Sequence, residues 1–438
     1  MKKTTTLILS LAITAAAGDY GRFDRLCNRS ETGRTTRGQQ CEGVPTFEFA
    51  TASGVGMPAT CDCITYPTGT KGEQISFTRG SAAVCTKGSV SSSIADGDLV
   101  QCGFNQTRIM PGGDGSGGNG VLLEPAATNL LLQSEDFTTS WVLFNDGVAL
   151  PTVTSNYATA PNGTLTADRV QVSACPGADN RSMVYESITT ASATVASIYA
   201  KGTSGNAAMS LCVSGAPGLC SVCNLNAATW TRCFLPQPSF GGLFYVFGCN
   251  NGTSFYNGAS NTGAADFLVW GAQLEETTSG TASSYIKTTT VAATRAVDVG
   301  YFNETTWPKF TNGSLAATMV LNGLVANRGL ISLNDGAGNF RDMLESNPSG
   351  TINSYVDGSV PSKVSTTLTT GTHRISMGWD ASIHRITVDG ASVVGAGKQE
   401  TGATPILRLN TYNSATGLTH NGTVKNICAD ATRSGKCL

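Results

Sequence analysis

The residues best able to do chemistry in this sequence are its cysteines, and their spacing poses the first choice. Cys220-Ser-Val-Cys223, flanked by Cys212 and Cys233, has the spacing of half a zinc knuckle. The same four residues could close two disulfides instead. The 14 cysteines fall into three even groups: Cys27, Cys41, Cys61, Cys63, Cys85 and Cys102; Cys175, Cys212, Cys220, Cys223, Cys233 and Cys249; then Cys428 and Cys437. Even groups are what modules produce when each closes its own bonds in an oxidising compartment, so disulfides are expected rather than zinc. Cys85 in "SAAVCTKG" is expected to pair with Cys102 in "DLVQCGF", two strand-like runs facing each other across a loop, and Cys428 with Cys437, tying down the C-terminal segment.

Other chemistry is sparse. His373, His384 and His420 have no nucleophile motif beside them and read as structural or solvent-exposed. The turn Asn334-Asp335-Gly-Ala-Gly-Asn339 offers oxygens suited to calcium, but a plain hairpin turn accounts for it, and no metal or cofactor is assigned. Aromatic rings remain, because a sugar can stack on an exposed ring while nearby polar groups hold its hydroxyls. Trp230, Trp270 and Trp379 lie in strand-like runs and read as core. Trp141, Tyr157, Tyr256 and Trp307 lie at loop-like or segment-entry positions and are the candidate ligand-binding residues.

The elements that must position these residues are strands. Charged residues make up only 13% of 438 positions, about half the usual quarter, and glycine is abundant at 51. A net charge of −2 provides no positive field for nucleic acid or anionic lipid. Short β-branched or aromatic runs are split by Asp-Gly and Asn-Gly turns, as in "TINSYVDGSV", "HRISMGWD" and "HRITVDGASV", and helical periodicity is nearly absent. The pattern predicts an all-β chain of two antiparallel β-sandwiches. Alternation places Ile386 and Val388 on one face with Thr387 on the other, and Ile198 and Ala200 opposite Ser197 and Tyr199.

Composition shifts divide the chain. Lys2 and Lys3, the apolar run Leu7 to Ile13 and Ala15-Ala16-Ala17 read as an export signal over residues 1–18. A small cysteine-rich region is expected over 19–110, a glycine-rich hinge over 111–120, and the two sandwiches over 121–300 and 301–438. No other run is long and apolar enough to span a membrane as a helix.

Several ordered motifs carry a resemblance. "LLEPAATNLLLQSEDFTTSW", "ATAPNGTLTADRV" and "DFLVWGAQLEETTSGTASSYIKTTTVAATRAVDV", with "GEQISFTRGSAAV" and "DGDLVQC" upstream, resemble a module of bacteriophage head-fibre and tail-fibre proteins over roughly residues 72–300. That module is similar to jelly-roll carbohydrate-binding modules. The resemblance implies that Asn129-Leu130-Leu131 begins the first strand, that Trp141 packs beneath the first loop, and that "FLVWGAQLE" is the closing strand beside the first. Related modules often hold a structural calcium on an Asp pair in the closing strand. Here Trp270-Gly271 stands in that place, and Asp266 reads as a turn cap rather than a ligand. Residues 300–430 resemble the concanavalin A-like or laminin-G-like lectin/glucanase fold, on "GTHRISMGWDASIHRITVDGASV" and "NGTVKNICADAT". A glucanase on that fold needs carboxylates in the order E-x-D-x-x-E, which occurs nowhere in the chain.

The expectation for function is therefore an exported, non-enzymatic surface or adhesion protein, secreted or at the cell surface. Its partners would be a glycan, a cell-envelope polysaccharide or a protein, with a homo-oligomer admitted. The alternative is a virion fibre or decoration protein in which the sandwiches are spacers. A secreted glycan hydrolase fails on the missing carboxylates.

Overall fold

The computed structural model describes residues 46–48, 61–63, 76–81, 83–86, 99–102, 108–110, 120–188, 194–213, 218–237, 244–251, 256–258, 261–276, 281–303, 313–321, 328–334, 340–346, 349–356, 359–397, 406–409 and 422–430. Every regular element among them is a strand. The expected fold class, antiparallel sheets packed as sandwiches, is what the chain adopts, with one parallel exception, the short pairing of Tyr256–Gly258 with Gly218–Asn226.

The first sandwich sets a five-stranded sheet against a six-stranded one. In spatial order the first runs Thr152–Ala158, Ala167–Val172, Ala265–Glu276, Thr194–Gly202, Thr231–Gln237. The second runs Tyr256–Gly258, Gly218–Asn226, Asn206–Val213, Phe244–Asn250, Arg181–Ser187, Val142–Asp146. Period-two alternation turns Ala196, Ile198 and Ala200 inward, where they meet Val184, Leu211 and Phe247 of the facing sheet. Each such side chain stabilises the fold by roughly 1.5–3 kcal/mol through loss of apolar contact with water. The entry segment seals one edge, with Leu130 N–H donating to Leu274 O at 2.9 Å and Ala272 N–H to Ser134 O at 2.9 Å. The segment from Asn129 thus lies beside the Ala265–Glu276 strand, as the resemblance implies.

The middle cysteine group closes on itself: Cys175–Cys249, Cys212–Cys220 and Cys223–Cys233 are disulfides. Cys212 and Cys220 stand directly opposite on neighbouring strands, while Cys223–Cys233 joins the six-stranded sheet to the five-stranded one. All four members of the zinc-like spacing are therefore spent on disulfides. The backbone of Ala83–Thr86 does pair with Leu99–Cys102, setting Cys85 opposite Val100 and Cys102 opposite Ala83. The side chains of Cys85, Cys102 and Cys428, and all of Cys437, lie outside the described residues.

The second sandwich faces a nine-stranded sheet with a seven-stranded one around Leu315, Ile331, Leu344, Ile375 and Trp379. Ile386 and Val388 point into it, and the Asp389–Gly390 turn takes positive φ at both residues, 49° and 86°, the geometry for which Asp-Gly is suited. Sheet membership runs across the boundaries expected at 110, 120 and 300. Thr46–Glu48, Cys61–Cys63, Arg108–Met110 and Gly120–Leu123 all enter the nine-stranded sheet, and Ser76–Thr78 enters the seven-stranded one.

A buried charge cluster marks where the chain passes between the sandwiches. Arg79 Nη1 lies 3.2 Å from Asp298 Oδ1, and Arg295 Nη1 lies 3.5 Å from Glu124 Oε2 and 3.8 Å from Asp298 Oδ2. Glu124 N–H donates to Asp298 Oδ2 at 3.0 Å, and Asp298 N–H to Glu124 O at 2.9 Å. Two cations against two carboxylates offset part of the cost of burying charge, with Asp298 Oδ2 accepting Glu124 N–H and Glu124 Oε1 accepting Ser284 N–H at 2.8 Å, while Arg295 Nε and Nη1 are held by charge rather than by hydrogen bonds.

Candidate ligand-binding face

The outer surface of the five-stranded sheet brings together an exposed ring and a set of polar groups. It begins with an irregularity: the register between Thr152–Ala158 and Ala167–Val172 shifts between Thr154 and Ala158, and Asn156 takes φ 51°. Asp168 holds this bulge from beneath, accepting Asn156 N–H on Oδ1 at 2.8 Å and Phe137 N–H on Oδ2 at 2.9 Å. Burial pushes the Asp168 carboxyl up to about 6 against the effect of those donors. Bulges re-aim side chains. Tyr157, inside the bulge, remains 50% exposed.

Arg169 stacks on Tyr157 with its Cζ 5.0 Å from the ring centroid. Its fork reaches sideways to Asp266, Nε to Oδ1 at 2.9 Å and Nη2 to Oδ2 at 2.5 Å. Gln171 Nε2 adds a bond to Asp266 Oδ2 at 3.3 Å. The hydrogen bonds from Arg169 hold the Asp266 carboxyl below its ordinary range. A planar ring, a stacked guanidinium and an ionised carboxylate thus share one accessible patch.

The other expected site residues are placed differently. Trp141 is a correction: it is only 7% exposed, its ring 4.9 Å from Phe137, 5.8 Å from Tyr245 and 5.7 Å from Phe247. Its Nε1–H donates to Gln133 O at 3.3 Å, so the indole is packed beneath the first loop and leaves no face for a ligand. The ring of Tyr256 and all of Trp307 lie outside the described residues. Asp266 sits within the Ala265–Glu276 strand with both oxygens engaged by Arg169. Trp270 and Trp379 are core, as expected, and Trp230 is half-buried.

Of the histidines, His384 is buried with Nε2 2.7 Å from Ser354 Oγ. His373 lies between Thr369 Oγ1 at 3.3 Å and Asp389 Oδ2 at 2.7 Å. That hydroxyl–imidazole–carboxylate order is the order of a catalytic relay. Here Asp389 also accepts Arg374 N–H at 2.8 Å and anchors the Asp389–Gly390 turn, which accounts for the arrangement structurally. His420 and the residues 335–339 of the Asn334 turn lie outside the described residues. Among the described residues, no group of three or more His, Cys, Asp or Glu is placed to hold a metal ion, and no helix is long and apolar enough to cross a membrane.

Sequence reasoning singled out Tyr157 but missed Arg169 and Gln171. The available signal was alternation: "ADRVQV" places Arg169 and Gln171 on the face opposite Val170 and Val172.

No family model matches this chain, and no curated protein matches it. Solved structures that align with it include Trypanosoma rangeli sialidase in complex with 2,3-difluorosialic acid, at 11% identity and a TM-score of 0.27, over 32% of this chain and 24% of that one. The same sialidase in complex with sialic acid aligns at 8% identity and TM-score 0.27, over 62% and 59%. Mouse laminin α1 chain domains LG4-5 align at 10% and 0.22, over 59% and 88%. The chain thus spans about a quarter of the first of these sialidase structures. TM-scores this low carry no argument about fold or function.

Proposed function

We propose that this is an exported, non-enzymatic surface protein that recognises a glycan through the outer face of its five-stranded sheet, at Tyr157, Arg169, Gln171 and Asp266. The observation that carries the reading is the half-exposed Tyr157 ring held over the Arg169–Asp266 pair by a bulge pinned from the core. Disulfide closure of the middle cysteine group supports an oxidising compartment. The missing E-x-D-x-x-E triplet supports binding without hydrolysis.

Binding at one shallow platform should be weak, with Kd nearer millimolar than nanomolar, because few contacts are fully desolvated. Affinity electrophoresis in gels carrying a panel of polysaccharides tests it. Tyr157→Ala should abolish retardation while leaving the thermal midpoint within about 2 °C, since an exposed ring contributes little to the core. A wild-type chain that no polysaccharide retards, yet that assembles into ordered particles or fibres, would establish the virion structural role instead.

A further inference from the structure

We propose that Ser283 and Gln273 become joined by an intramolecular ester bond that the folded chain forms on itself, with Glu275 carrying the proton. The bond would fasten the segment over residues 281–289 to the outer side of the Ala265–Glu276 strand. It is a single turnover within the molecule and acts on no outside substrate.

The strand places an acyl group and an acid side by side. Beyond Gly271, Ala272 and Leu274 face the core, so Gln273 and Glu275 point to the other side of the sheet. There the 281–289 segment covers them: Gln273 is 0% exposed, Glu275 2% and Ser283 3%. Ser283 Oγ donates to Glu275 Oε1 at 2.8 Å, and Ser283 N–H to Glu275 Oε2 at 3.2 Å. Gln273 Nε2 donates to the same Glu275 Oε1, and lies 3.5 Å from Ser283 O and 3.4 Å from Ser284 O. The carbonyl oxygen of Gln273, Oε1, accepts Ile286 N–H at 2.6 Å. A hydroxyl, a carboxamide, a carboxyl shared by both and an N–H on the acyl oxygen are the parts of an acyl transfer, held where water is excluded.

Glu275 is suited to carry the proton. Burial pushes it up to about 7, against the charge of Arg232 and the donors on Ser283, so both of its forms are populated at neutral pH. As the carboxylate takes the Ser283 proton, Oγ attacks Gln273 Cδ, and Ile286 N–H meets the charge that develops on Oε1. The Cδ–Nε2 bond then breaks as Glu275 returns the proton to Nε2. One Oγ–Cδ bond replaces one Cδ–Nε2 bond, ammonia leaves, and no oxidant or reductant is needed. Escape of ammonia and the fixed placement of the two groups drive an exchange that free side chains would not make. The segment so fastened packs Tyr285 against Trp270 and holds the entry segment through Thr288 and Ser134, so one bond secures both contacts.

Peptide mass mapping of the full wild-type chain, kept oxidised at neutral pH for a week after purification, tests this. Cleavage after Glu276 places Gln273 and Ser283 in different peptides. After disulfide reduction the two should stay joined, at a mass about 17 Da below the sum of the separate peptides, the loss of one ammonia. Hydroxylamine should part them and leave a hydroxamate on residue 273. Ser283→Ala and Glu275→Gln should each give separate peptides of full mass. Wild-type peptides that come apart freely, a deficit of about 18 Da from loss of water instead, or a link that persists in Glu275→Gln would overturn the inference. The wild-type map decides it even where a variant misfolds.

Discussion

At the scale of single residues, environment decides what a side chain does. Trp141 and Tyr157 read alike in sequence as aromatics at segment entries, but one is packed against Phe137, Tyr245 and Phe247 and the other lies half in water. Trp141→Ala should therefore cost about 3–5 kcal/mol and lower the thermal midpoint of the first sandwich, with no selective loss of glycan binding. A midpoint within experimental error of wild type would show that the ring is not core. Three buried carboxylates make a second prediction. Burial pushes Asp168 up to about 6, and Glu186 and Glu275 up to about 7, from ordinary values near 4. A carboxylate whose folded value is raised holds its proton better folded than unfolded, so its stabilising effect is complete below pH 4 and is lost as pH rises through 6 to 7. Calorimetric midpoints should accordingly fall between pH 5 and pH 8. A flat or rising midpoint over that range would contradict the assignment.

At the scale of elements, the closing strand shows why "FLVWGAQLE" contains a glycine. Phe267 and Val269 face the core, and so do Ala272 and Leu274, a parity that period two cannot join without one extra residue. Gly271 supplies it: its φ is 66°, and the register with Thr194–Gly202 shifts there, between Ser197 and Tyr199. Trp270, in step with Leu268 on the other face, packs against Tyr199 and Tyr285 at centroid distances of 5.7 and 4.5 Å. A Cβ at this position would stand 3.2 Å from the Tyr285 ring. Gly271→Ala should cost about 1–3 kcal/mol from backbone strain, before any shift of the Tyr285 ring, readable as a lower urea midpoint at unchanged slope. Alternation was legible in advance wherever strands were long, as for Ile386 and Val388 or Ile198 and Ala200. The candidate face was half-legible: Tyr157 announced itself as an aromatic, but the partner of Arg169 lies 97 residues away, beyond any local pattern.

At the scale of the whole molecule, the two sandwiches differ in how they are assembled from the chain. The first is built from one continuous stretch, with its three disulfides and its core all between Leu131 and Leu274. The second takes strands from both sides of that stretch, including Gly120–Leu123, whose Leu123 is fully buried in the second core. Sequence alone did not reveal this, because strands of three or four residues such as Ser76–Thr78 are too short to show a period. The charge cluster sits where the connections cross, and Asp298→Ala in the full chain should cost about 3–5 kcal/mol by removing the carboxylate that the buried Arg79 and Arg295 share, with Glu124 still beside Arg295. A sharper consequence concerns fragments. Residues 124–298 expressed alone under oxidising conditions should melt cooperatively, because every element of the first core is present. Residues 299–438 alone lack the Ser76–Thr78 edge strand and the Gly120–Leu123 pairing to Gly422–Asp430, so they should fail to form a cooperative fold. Adding residues 46–123 in trans should restore it. Circular dichroism melts of the two fragments decide the matter, and a cooperative transition for 299–438 on its own would show that the N-terminal strands decorate the second sandwich rather than complete it.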